Sequence, residues 1–105
     1  MTGFRLNQSG LGAGLCALLA MGQAHAADAL HGKSLYLNGP PGGGAACARC
    51  HTASPAANVS KILSAADNPA AISAAIAANK GGMGNIYAGK FTAVDLADLA
   101  AFIGN

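Results

Sequence analysis

The decapeptide "ACARCHTASP" (residues 46–55) holds the one closely spaced cysteine pair of the chain, with a histidine directly behind the second thiol. Cys47 and Cys50, two residues apart, can close a disulfide, ligate a metal or capture a reactive cofactor. His51 adds an imidazole next to the second sulfur. The residues on either side must decide between these chemistries.

Upstream, "MTGFRLNQSGLGAGLCALLAMGQAHA" (residues 1–26) has the layout of a secretory leader. Arg5 is its only Lys or Arg, the apolar stretch runs from Leu11 to Met21, and Ala24-His25-Ala26 is an A-x-A cleavage site. The apolar run falls short of the about 20 residues that a spanning helix needs, so no stable membrane anchor is expected. Bulky Leu15 before Cys16 argues against a lipid-modified cysteine. The expectation is export to the periplasm, cleavage near Ala26 and one domain over residues 27–105.

Within 27–105 the cysteines are Cys47 and Cys50, the histidines His31 and His51, and the single methionine Met83. Five basic residues stand against Asp28, Asp67, Asp95 and Asp98, a net charge of +1. No basic stripe or cluster is present, which excludes nucleic acid as a partner. The chain has no Trp, and this segment has only Phe91, Phe102, Tyr36 and Tyr87 as aromatics. A domain so small and so rich in Ala and Gly cannot easily fill a core alone; such domains use a disulfide set, a metal or another aid.

The remaining pattern is helical. "DALHGKSLYLN" (28–38) predicts a first helix, with Leu30, Ser34 and Leu37 on one stripe and Gly32 and Tyr36 on a neighbouring one. It must stop before "NGPPGGG" (38–44). "NVSKIL" (58–63) allows a short turn of helix. "NPAAISAAIAAN" (68–79) predicts a helix with Asn68 as N-cap, Pro69 at the first position and Gly81–Gly82 as terminator. "GGMGNIYAGKF" (81–91) reads as loop. "TAVDLADLAAFIGN" (92–105) predicts a helix opened by a Thr92–Asp95 capping box. Leu96, Leu99, Phe102 and Ile103 face inward there, Asp95 and Asp98 face water, and Gly104 is the stop. No strand-type alternation persists, so the fold class is all-α, with three to four short helices.

Four readings compete for the cysteine motif. A thioredoxin-like pair belongs beside a βαβ pattern, and no strands are expected. A structural zinc site needs four ligands, and the segment has only four Cys and His, with His31 beyond the Gly/Pro loop. A lone disulfide would close a very short loop, which constrains the unfolded chain least, and would leave His51 idle. C-x-x-C-H is also the attachment signature of c-type haem. On a helical turn both thiols face one way and can form thioethers to the two vinyl groups of one porphyrin, with His51 beneath the iron. Export agrees with that reading, because bacteria attach haem covalently outside the cytoplasm.

On these residues the chain resembles the short class I cytochromes c of bacterial periplasms, over nearly all of 28–104. Gly32 and Tyr36 match the family's helix-1 glycine and aromatic, and Leu99 and Phe102 match its final-helix pair. The resemblance implies a cytochrome c-like fold around one haem c, bound by Cys47 and Cys50 through two thioethers. It implies His51 and Met83 as the iron ligands, since His/Met is a known axial pair. His31 is the rival sixth ligand. Three departures stand out: residues 38–46 look inserted, Gly84 follows Met83 where Pro is frequent, and the span from His51 to Met83 is short. They imply a haem edge more exposed than usual.

Pro55 is a candidate to hold the His51 imidazole through its carbonyl or by packing. Tyr87, Lys90 and Arg49 are candidates for the haem propionates. No Ser/His/Asp set, paired carboxylates or phosphate loop occurs, so independent catalysis is not expected. The implied function is one-electron carriage between redox protein partners, a donor and an acceptor. The alternatives are a haem subunit of a larger periplasmic oxidoreductase, or a gas-binding protein should Met83 leave the iron.

Overall fold

The structure, a computed structural model, describes residues 26–105. The expected leader, Ala26 apart, lies outside the described residues. Those residues form helices and turns with no strand among them, an all-α architecture. None of their helices is long and apolar enough to cross a membrane.

Helix α1 (Ala29–Asn38) begins where the Asp28 carboxylate accepts the backbone N–H groups of Leu30 and His31, at 3.0 and 3.1 Å. That satisfies two of the amides a helix start leaves unpaired. It ends at Gly39, with Pro40 following. Helix α5 (Ala93–Ile103) opens with both bonds of the capping box: Asp95 N–H donates to Thr92 Oγ1 and Thr92 N–H to Asp95 Oδ2, each at 3.0 Å. These two helices make the most extensive contact among the described elements. Gly32 is the point of closest approach, where any Cβ would overlap the Asp98 carbonyl. This contact selects the buried face of α1, which is Gly32, Leu35 and Tyr36. Leu30 and Leu37 consequently point to solvent, although they are the more hydrophobic stripe in the sequence. Tyr36 and Phe102 pack across the crossing with ring centroids 5.2 Å apart and planes tilted by 57°.

The structure corrects the expectation that Asp95 and Asp98 face water. Asp95 is buried in its cap, and Asp98 is 1% exposed. Asp98 Oδ1 accepts the Asp28 N–H and Oδ2 the His31 Nδ1–H, both at 2.7 Å. The carboxylate lies against the first turn of α1, where the helix dipole favours negative charge. Tertiary position therefore outweighs the polar character of the residue.

Between α1 and α5 the chain forms α2 (Ala48–His51), 3-10 turns at Pro55–Ala57 and Val59–Ala65, α3 (Pro69–Ala77), a further turn at Lys80–Gly82 and α4 (Met83–Tyr87). The second turn covers the helical turn expected at 58–63, but Asn58, Ser60 and Lys61 have left-handed backbone. Helix α3 begins at Asn68-Pro69 as expected and stops at Ala77, before the glycines, because Asn79 turns left-handed at φ 53°. Residues 81–91 are not simply loop. Asn79 Oδ1 accepts the Asn85 N–H at 3.0 Å, which supports α4 from outside it. Gly84 lets α4 approach α3: a Cβ there would lie 2.6 Å from the Ile76 carbonyl oxygen.

The core comprises Leu35, Tyr36, Ala65, Ile72, Leu99, Ala100 and Ile103. Its three largest fully buried side chains are Tyr36, Leu99 and the carboxylate Asp98. This is a thin core, and one side of it opens into a cavity.

Candidate cofactor site

The cavity measures about 770 Å3. Cys47, Cys50, His51 and Met83 all line it, together with apolar groups such as Ile62, Ile72, Leu99 and Ile103. The four residues singled out in the sequence are thus brought to one place from α2 and α4. His31 is not among the lining residues; its imidazole is bound to Asp98 at the helix crossing.

Helix α2 is a single turn held by the Arg49, Cys50 and His51 amides, which donate to the Ala46 and Cys47 carbonyls at 3.0–3.2 Å. It breaks at Thr52, whose φ is 69°. The exit is fastened by Tyr36, which donates its hydroxyl proton to the Thr52 carbonyl at 2.6 Å. Tyr36 therefore packs the helix crossing with its ring and anchors the cysteine turn with its hydroxyl.

The His51 ring is oriented by the chain itself. Its Nδ1 lies 2.9 Å from the Val59 carbonyl oxygen. A carbonyl can only accept, so Nδ1 carries a proton, and in the neutral ring Nε2 keeps the lone pair. Nε2 has no partner among the described residues. This is the arrangement in which a metal-ligating histidine is held, with the far nitrogen hydrogen-bonded to a carbonyl. The holder is Val59 rather than the expected Pro55. Val59 sits between Asn58, at φ 55°, and the left-handed pair Ser60 and Lys61, at φ 55° and 61°. Non-glycine residues in that region cost about 1–3 kcal/mol each, and such strain collects at functional sites. The Asn58 side chain stabilises the turn by accepting the Leu63 N–H at 2.9 Å.

The proposed propionate partners are arranged differently. Tyr87 donates to the Ala45 carbonyl at 2.6 Å, Lys90 to the Gly43 carbonyl at 3.2 Å, and Arg49 is exposed and outside the cavity lining. Of these three only Tyr87 lines the cavity, together with Lys61 and Lys80. Sequence reasoning missed the two lysines because their position depends on left-handed turns at Lys61 and Asn79 that carry no glycine signal.

Cys47 and Cys50 are both free thiols. Burial pushes the Cys47 thiol up, only partly offset by a hydrogen bond with Tyr87. Redox-active pairs are shifted the opposite way. Among the described residues no group of three or more His, Cys, Asp or Glu converges as a metal site. Neither a zinc ion nor a disulfide would occupy a space of about 770 Å3, whereas cofactor pockets span roughly 300–1,000 Å3. Comparisons with protein-family models, with curated proteins and with solved structures found no match. The functional reading therefore rests on the residues and their geometry.

Proposed function

We propose that the chain is a monohaem c-type cytochrome with a cytochrome c-like fold, and that it carries one electron at a time between redox protein partners outside the cytoplasm. The observation that carries this reading is the cavity: two thiols at C-x-x-C spacing, an imidazole with a free Nε2 and the one thioether of residues 27–105 all line a single apolar space. The donor set fits the group. Cys47 and Cys50 would hold haem c through thioethers, and His51 Nε2 and Met83 Sδ would ligate the iron.

When bound, the haem would supply a reversible Fe(III)/Fe(II) couple. The chain's residues do the rest. The Val59 carbonyl fixes the His51 tautomer and raises the basicity of Nε2. The Met83 thioether, a weak donor, would favour the reduced state and raise the potential. Ile62, Ile72, Leu99 and Ile103 would present apolar walls to the group, further disfavouring the more highly charged oxidised state. Lys61 and Lys80 at the cavity wall are the cations available to the propionates. With His51 Nε2 and Met83 Sδ both given to the iron, no coordination place would be left for a substrate, in keeping with carriage rather than catalysis.

The test is a redox titration of the purified exported protein followed by absorbance. A single one-electron transition with a low-spin c-haem spectrum is expected. A high-spin spectrum at neutral pH would reject paired ligation by His51 and Met83.

A further inference from the structure

Residues 39–46, most of the stretch 38–46 that looks inserted, form a compact loop. Gly43 N–H donates to the Pro40 carbonyl at 2.9 Å, and the loop's mouth closes where Gly39 meets Gly44 and Ala45. Two side chains from the other side of the cavity sequence grip its outgoing arm. Tyr87, on the last position of α4, is buried and donates to the Ala45 carbonyl at 2.6 Å. Lys90 reaches the Gly43 carbonyl at 3.2 Å. Phe91 stacks on the Tyr87 ring with centroids 5.3 Å apart.

Tyr87 lies four residues after Met83 on the same short helix, so the two share a face. Both line the cavity. Helix α4 has five residues, preceded by left-handed Gly81 and Gly82, around which a Cβ would find nothing within 4 Å. Helix α4 is held against α3 by the Asn79 side chain on the Asn85 N–H and by the close approach at Gly84, and the Tyr87 hydroxyl ties its far end to Ala45.

We infer that Tyr87, seconded by Lys90, is a positioning residue that ties α4 to the segment entering the cysteine motif and thereby holds the Met83 thioether in the cavity; this rests on the haem reading above. The inserted loop is then the fixed post to which the ligand-bearing helix is moored.

The experiment uses the haem-loaded full protein and two readouts: the sulfur-to-iron charge-transfer band of the oxidised form, and the rate of CO binding to the ferrous form. Tyr87→Phe keeps the ring and removes the hydroxyl. It should weaken the band and raise the CO rate about tenfold, the equivalent of one lost buried hydrogen bond. Lys90→Met should raise the rate about twofold, and Lys90→Arg, which can still donate to Gly43, should restore it. Loss of thermal stability with both readouts unchanged marks a purely structural role and overturns the inference. If Tyr87→Phe does not accumulate, Lys90→Met decides: an unchanged CO rate overturns the inference. A wild-type protein without haem overturns the reading beneath it, and this inference with it. Haem-loaded variants with wild-type readouts overturn this inference alone.

Discussion

Tyr36, His31 and His51 each owe their behaviour to one hydrogen bond that ties distant parts of the chain together. Tyr36 donates to Thr52, and Tyr36→Phe should lower unfolding free energy by about 1–2 kcal/mol. Chemical denaturation measures this, and a loss below a few tenths would show that the bond does not matter. His31 has its pKa raised, mainly by the hydrogen bond to Asp98 and secondarily by the charges of Asp98, Asp95 and Asp28. A raised folded-state pKa means that the His31 contribution is fully present below the unfolded value of 6.5 and is lost as pH rises through the folded value. Stability should therefore decline modestly as pH rises above 6.5, the effect being small because the ring is exposed. His31→Gln should remove that slope in thermal melts across pH. His51 was legible as a candidate ligand from its place behind Cys50, but the group that orients its ring was not. The Val59 carbonyl is a backbone group eight residues away, and nothing in residue type marks it.

At the scale of elements, α1 and α5 were readable because their signals are local: Asp28 and Thr92 are side-chain caps, and Asp95 completes the box. The crossing was readable through Gly32, and Gly32→Ala is the sharpest test of it. A Cβ there meets the backbone of Asp98, which cannot swing aside as a side chain would. The expected loss is about 3 kcal/mol or more, seen as a lowered melting temperature, with a neutral outcome contradicting the packing. Thr92→Ala should cost about 1 kcal/mol by loss of the cap. Helix α4 and the buried Asp98 were not legible, for one physical reason. Asn79 and Gly84 support α4 by contacts with α3, and α1 supplies the donors for Asp98; both are settled by tertiary neighbours rather than by the residues' own preferences.

Taken whole, the molecule sets a thin core of alanine, leucine and isoleucine beside a cavity of about 770 Å3. Interiors are normally close-packed, and apolar walls around a space of that size, open to solvent, gain from being covered by an apolar group. A group filling it should therefore contribute much of the stability. Cys50→Ala or His51→Ala should yield little folded protein, and a soluble, cooperatively melting product from either would count against the account. The most direct test is the intact mass of the purified exported protein, together with a pyridine haemochrome spectrum. The account predicts a mass increased by one haem and a spectrum of two vinyl-linked thioethers. A colourless, well-folded protein at the bare polypeptide mass would contradict it.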